Sequence, residues 1–193
     1  MLDSANTATI TIGPARISYH HLITPYSHNS GDDKKYSVTM LIPKNDSLAK
    51  KRMDEAIEVA LEKGVQSKWN GVKPAKPAIP VYDGDGVRSN GEPFGPEAAG
   101  CFVLTASSFE QVEIVDAALQ PIVTEKEIYR GAYIYASVTF FSYARSGKKG
   151  IGCGLNAVLK FKDGEPLGGR LTAARAFAPL IRQLATNDTD VSN

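Results

Sequence analysis

From residue 151 to residue 161 the chain alternates without a break. Ile151, Cys153, Leu155, Ala157, Leu159 and Phe161 fall on one face, and Gly152, Gly154, Asn156, Val158 and Lys160 on the other. A period of two belongs to a β-strand and to no helix. The segment before it, residues 132–144 (AYIYASVTFFSYA), is dense in aromatic and β-branched side chains and reads as a second long strand. Residues 145–150 (RSGKKG) lie between them, with the two glycines of a turn. The three pieces predict a hairpin with a basic tip.

The first of these strands has two unlike faces. Ile134, Ala136, Val138 and Phe140 form a compact apolar one suited to a core. Burial of Ile134, Val138 and Phe140 contributes roughly 1.5–3 kcal/mol each. Tyr133, Tyr135, Phe141 and Tyr143 share the opposite face with Ser137 and Thr139. Unpaired bases of any sequence stack on such rings, and Arg145, Lys148 and Lys149 at the adjoining tip suit phosphates. The bland alternative is a second small core in which the tyrosines pack beneath a helix or a long loop. The strand pattern leaves both open.

The remaining chain supplies more strands and few helices. Residues 8–23 read as two short strands, or one strand with a bulge at Gly13-Pro14. Residues 36–43 (YSVTMLIP) read as a strand that ends at proline. Asn45, Asp46 and Ser47 then offer helix caps, and Met53, Ala56, Ile57, Ala60 and Leu61 make one buried helical stripe, weakened by Gly64 ahead of Trp69. Residues 101–107 and 111–115 read as strands, and residues 124–129 as one helical turn capped by Thr124 with Glu127 three positions on. A last helix is expected over residues 172–184, with Phe177, Leu180, Ile181 and Leu184 on one side. Residues 70–98 are loaded with Pro, Gly and Asp and read as a long mobile loop. Its acids are expected to stay out of a binding groove, and its Arg88 to close over a bound strand. Many short strands and one long helix predict a mainly β, antiparallel barrel with added helices; parallel α/β does not fit. Residues 1–185 are expected to form one such domain and residues 186–193 a disordered, weakly acidic tail.

Composition excludes some classes and leaves others. Lys plus Arg number 22 and Asp plus Glu 21, so any argument for an anionic partner rests on local clusters. Residues 145–163 carry five basic groups, Lys160 and Lys162 among them, against one acidic. Residues 44–76 carry eight basic and five acidic groups. A solvated surface is the plain reading of either cluster alone. No apolar run nears the ~18 residues of a membrane helix, and residues 1–8 are polar, without a secretory pattern. A cytoplasmic protein whose Cys101 and Cys153 stay reduced is expected.

Catalytic and metal motifs are missing. His20 and His21 are adjacent and point to opposite faces of a strand, so they cannot chelate one ion. No Cys-x-x-Cys or His-Glu-x-x-His is present. Asp83-Gly84-Asp85-Gly86 opens like a calcium loop, but Phe94 stands where the closing glutamate belongs. The glycines and lysines at 146–150 lack the Walker pattern and the helix that would follow it. A metal-dependent nuclease would have to gather Asp32, Asp33, Asp83, Asp85 and Asp116, which are scattered. No cofactor is expected.

Several stretches together resemble a known family. These are KKYSVTMLIPKND (34–46), AIEVALEKGVQSKW (56–69), SNGEPFGPEAAGCFVLTASS (89–108), VEIVDAALQPIVTEKEIYRGAYIYASVTFFSY (112–143) and, most specific, GKKGIGCGLNAVLKFKDGEPLGG (147–169). They are similar to the phage-encoded single-stranded DNA-binding proteins of replication and recombination modules. The resemblance implies an OB fold, sequence-independent single-strand binding without turnover, and an acidic partner-binding tail. Here the tail carries only Asp188 and Asp190. The candidate DNA-binding residues are Tyr133, Tyr135, Phe141, Tyr143, Arg145, Lys148, Lys149, Lys160 and Lys162, with Arg88, Lys34, Lys35 and Trp69. The expected partner is single-stranded DNA; duplex DNA and phage replication or recombination proteins are further candidates, and a membrane is not. A nuclease or recombination enzyme, and a phage structural protein that does not bind DNA, stand as the alternatives.

Overall fold

The computed structural model describes residues 7–168, together with Phe177 and Leu180. Its elements are β1 (Thr9–Tyr26), β2 (Lys35–Pro43), α1 (Ser47–Ser67), β3 (Val81–Asp83), β4 (Cys101–Ser108), β5 (Glu113–Val115), β6 (Tyr133–Arg145) and β7 (Lys148–Lys162), with a single 3-10 turn at Pro96–Ala98. The expected helix at 172–184 and the tail at 186–193 fall outside the described residues, apart from Phe177 and Leu180, which are helical and exposed.

The barrel closes around β1. Its first half pairs with β6, from Thr9↔Thr139 to Arg16↔Tyr133. Its second half pairs with β2, from Arg16↔Leu41 to Tyr26↔Lys35. β2 continues to β4, and β6 to β7. The ring shuts where β4 meets β7 in parallel at Ser107↔Gly154. The result is a closed five-stranded barrel of OB type, with β3 added outside β4 and β5 outside β7. Residues 8–23 are one strand with a register shift between Ile12 and Ala15, the bulged option of the two.

Alternation puts the expected face of β6 inside: Ile134, Ala136, Val138 and Phe140 are at most 1% exposed. β6 and β7 are joined by a two-residue turn, Ser146-Gly147, with φ of 50° and 76°. Positive φ at both central residues matches the twist of a hairpin, and glycine takes it without strain. Lys148 and Lys149 are therefore strand residues beside the turn.

The unbroken alternation of residues 151–161 does not survive in the structure. Ser137 faces Ala157 and Val138 faces Leu155, so Asn156 is an extra residue in β7. A bulge reverses which side chains point inward beyond it. Ile151, Cys153 and Leu155 are buried as expected, but beyond the bulge Val158 takes the core position and Phe161 is exposed.

The helix starts where its cap predicts, the Asp46 carboxylate accepting from the Ala49 N–H at 2.9 Å. Its predicted stripe is buried, with Ala49 and Gly64 added to it. The helix runs on through Gly64 to Ser67, and the glycine lets β6 and Trp69 approach. A Cβ there would lie 2.7 Å from Ser142 Cβ and 2.8 Å from the Trp69 ring. Trp69 is 1% exposed, and its indole N–H donates to the Tyr143 carbonyl at 3.0 Å.

Two other expectations change. Residues 124–129 form a turn and not a helix: Glu127 N–H donates to the Thr124 carbonyl, and the Thr124 hydroxyl to the Glu127 carboxylate at 2.6 Å. A single turn ahead of Gly131 is too short to propagate. Residues 70–98 are not structureless either. Ala78 bridges Gly150, β3 pairs with β4, and Val87 bridges Pro93. The amine of Lys44 binds Asp83 at 2.5 Å and Asp85 at 2.7 Å. Those hydrogen bonds hold both carboxyls below the ordinary carboxylate range and raise the Lys44 amine. The motif that opens like a calcium loop is thus a lysine clasp.

The packing of Gly64 gives a test that runs against helix propensity. Alanine is the better helix former by about 1 kcal/mol, yet Gly64→Ala should destabilise the protein by about 1–3 kcal/mol through overpacking. Urea melts of the two proteins measure this; a stabilised variant would show that the contact with Ser142 and Trp69 is slack.

Candidate nucleic-acid interface

On β2 the residues Val38, Met40 and Ile42 point inward, which turns Ser37, Thr39 and Leu41 outward. On β4, Leu104 and Ala106 point inward, and Val103 and Thr105 turn outward. The Thr39 and Thr105 hydroxyls share a hydrogen bond of 2.8 Å across the two strands. This outer face is the floor of a groove of about 350 Å³. Tyr19 of β1 lines it, and the arch of residues 84–95 brings Arg88 and Phe94 over from beyond β3. The arch is seated by a small apolar cluster of Leu41, Ala98 and Val103, against which Phe94 packs.

The groove is aromatic and cationic together. Tyr19 is 50% exposed and Tyr82 39%. Tyr82 and Phe94 lie 6.2 Å apart, tilted by 54°. The Arg88 guanidinium sits 5.3 Å from the Phe94 ring centroid and that of Arg130 5.4 Å from the Tyr19 centroid. Arg130 Nε donates to the Ser18 carbonyl at 2.6 Å, which fixes its direction. One acid, Glu97 of the 3-10 turn, also lines the groove, so the expectation that the loop's acids stay outside fails for this residue.

A run of rings leads out of the groove along β1. Tyr19 meets His21 edge-on at 5.1 Å, and His21 stacks on Tyr26 at 4.5 Å and 11°. His20 turns the other way, and burial pushes its imidazole below the ordinary range. Tyr26 opens onto a second depression, lined also by Asp32, Lys35, Phe109 and Arg145. There the Lys35 amine lies 4.5 Å from the Phe109 centroid. Two loops meet at this end, residues 27–34 between β1 and β2 and the β6–β7 turn. In OB folds the face of the second and third barrel strands and these two loops are the ligand surfaces; β2 and β4 are those strands here.

The residues expected from the sequence divide accordingly. Arg88 lines the groove. Lys35 and Arg145 line the second depression, and Lys34 is exposed beside Lys35. Lys148 and Lys149 are exposed at the hairpin tip, next to Pro74 and Lys76. Tyr133, Tyr135, Phe141 and Tyr143 lie on the outer face of β6 and line neither depression. Phe141 is 46% exposed and lies against Gly152, where a Cβ would come within 2.6 Å of the ring. Tyr135 packs edge-on against Phe161 at 5.4 Å, and the Lys162 amine sits 4.9 Å from the Tyr133 centroid. Lys160 is engaged by Asp163 at 2.7 Å. Trp69 leaves the set of candidates: its ring is enclosed by α1 and β6 and cannot meet a base.

Sequence reasoning missed Tyr19, His21, Tyr26, Tyr82, Phe94, Phe109, Glu97 and Arg130. The alternation of Tyr19 and His21 along β1 was a usable signal. Tyr82 and Phe94 carried none, because they sit in a segment without periodicity and reach the groove only through the pairing of β3 with β4. Among the described residues no three His, Cys, Asp or Glu side chains gather as a metal site requires.

Comparison with known proteins places this architecture. The family described as the Enterobacter phage Enc34 ssDNA-binding protein matches residues 8–191. The single-stranded DNA-binding protein of bacteriophage Enc34, solved in complex with ssDNA, is 30% identical with a TM-score of 0.72, over 83% of this chain and 90% of that one. The gp2.5 single-stranded DNA-binding protein of bacteriophage T7 shares the fold at a TM-score of 0.55 and 14% identity, over 85% of this chain and 97% of its own. Putative protein p50 of Acyrthosiphon pisum secondary endosymbiont phage 1 is 25% identical over 89% of this chain and 93% of its own length. The chain belongs to the family of the Enterobacter phage Enc34 ssDNA-binding protein.

Proposed function

We propose that this protein binds single-stranded DNA independently of overall sequence, coating strands exposed during phage replication or recombination in the host cytoplasm. The observation that carries the reading is the run of rings lining the groove and the depression, from Tyr82 and the half-buried Phe94 through Tyr19 to Tyr26, flanked by Arg88, Arg130, Lys35 and Arg145. Membership of the Enc34 family supports it. Stacking on such rings contributes about 1–3 kcal/mol per base and needs the base out of a duplex. The strand path therefore follows the outer face of β2 and β4, with single strands favoured over double. Lys34, Lys148 and Lys149 contact phosphates where the strand leaves the groove. The rings of β6 serve mainly to pack the hairpin against Phe161 and the glycines of β7. No reaction and no cofactor enter this reading.

Two measurements test it. Tyr19→Ala and Tyr82→Ala should each lower affinity for an oligonucleotide by about 1–3 kcal/mol where the ring holds a base. Their melting temperatures should stay near that of the parent, because both rings are already substantially exposed. Tyr135→Ala should do the reverse, losing stability with little change in affinity of the folded fraction. The opposite pattern would move the site to β6. Salt dependence tests the cations: log affinity should fall with log salt by about 0.7 per phosphate contacted. Changing Lys148 and Lys149 together to Glu should flatten that slope, and an unchanged slope would remove the hairpin tip from the interface.

A further inference from the structure

A carboxylate is out of place in a groove for a polyanion. Glu97 lines the groove beside Tyr19, Arg88 and Arg130. It makes no ion pair with either arginine: Arg130 Nε is turned to the Ser18 carbonyl, and Arg88 lies over Phe94. The hydrogen bond that Glu97 accepts comes from the Ser18 hydroxyl at a long 3.4 Å. The side chain is half-buried and projects from the 3-10 turn Pro96–Ala98. Ala98 of that turn is anchored in the apolar cluster with Leu41 and Val103. The carboxylate thus lines the groove folded back against Gly95, and among the described residues the Ser18 hydroxyl is its one hydrogen-bond donor.

The chemistry of the ligand decides what that capacity can meet. Phosphates and sugars of a DNA strand offer a carboxylate only repulsion or bare oxygens. The donors of DNA are on the base edges: the amino groups of cytosine, adenine and guanine and the ring N–H of guanine and thymine; at C4, cytosine carries an amine where thymine and uracil carry a carbonyl. A carboxylate accepts well from cytosine N4. In single strands those edges are free to be read while the ring is stacked.

Resting on the single-strand reading above, we infer that Glu97 is a specificity-determining residue. It accepts a hydrogen bond from the exocyclic amine of a base held against Tyr19 or the Tyr82–Phe94 pair, so that this position of the groove favours amino-bearing bases over thymine or uracil. Binding stays general along the strand, because stacking and phosphate contacts are shared by all bases, but it is not equal for all compositions. At the Glu97 position a 4-carbonyl base sets its oxygen against the carboxylate, and an amine sets a donor there.

Oligodeoxycytidine and oligodeoxyuridine of one length provide the sharpest comparison, since the two bases differ at the C4 substituent and the adjoining N3 proton and nowhere else. The parent protein should bind the cytidine strand at least about fivefold more tightly. Glu97→Ala should bring the ratio to near one, chiefly by weakening the cytidine complex and relieving the uridine complex. Glu97→Gln keeps the shape and adds a donor for the uracil carbonyl, so it too should level the ratio, and it carries the test if the alanine variant fails to fold. A parent ratio near one, or a preference that persists in both variants, overturns the role of Glu97. Failure to bind either strand at low salt overturns the single-strand reading itself, a result distinguishable from equal binding of both.

Discussion

The molecule depends on β1 serving two neighbours at once. In its eighteen residues it is bonded to β6 on one side and to β2 on the other, and without that sharing the strands would form two open sheets with exposed edges. The side chains it turns to the inside are apolar: Ile12, Ala15, Ile17 and Leu22 are at most 2% exposed. A register shift between Ile17 and Tyr19 then turns Tyr19 and His21 outward. Core and candidate interface are therefore two faces of one strand, and no change of register can improve one without exposing the other.

A second dependence links the arch to the barrel. Residues 84–95 would be a loose flap if they hung from their ends alone. They are pinned by β3 against β4, by Lys44 between Asp83 and Asp85, and by the cluster of Leu41, Ala98 and Val103. These contacts bring Arg88 and Phe94 to the groove, and Glu97 follows in the 3-10 turn. Side chains preorganised in this way lose little conformational freedom on binding, which suits a site built from few rings. The exposed ion pairs at Lys44 contribute modestly to stability; their work is to place the chain.

Much of the fold was legible. The inner face of β6, the helical stripe of α1 and the Asp46 cap follow from period and cap chemistry alone, and each is where those rules put it. Local pattern failed where a tertiary contact overrode it. The bulge at Asn156 reverses the apparent alternation of β7, and nothing in residues 151–161 announces it. Gly64 reads as a helix breaker until Trp69 and Ser142 are seen against it. Of the candidate residues, the basic hairpin tip stood out as a local cluster and Arg88 as the one arginine of its loop. The stacking rings were sought on β6 because its aromatics are contiguous in sequence, whereas the groove assembles Tyr19, Tyr82, Phe94 and Arg130 from four distant segments. Such a site becomes visible only when the barrel is closed.

The central claim is that the strand lies across β2 and β4 beneath the arch. Photocrosslinking of an oligonucleotide carrying 5-iododeoxycytidine, followed by peptide mass spectrometry, reads this directly, because the reagent couples to aromatic rings that stack on the base. The account predicts crosslinks at Tyr19, Tyr82 or Phe94. Crosslinks confined to Tyr133, Tyr135 and Phe141 would contradict it and place the strand on the outer face of β6.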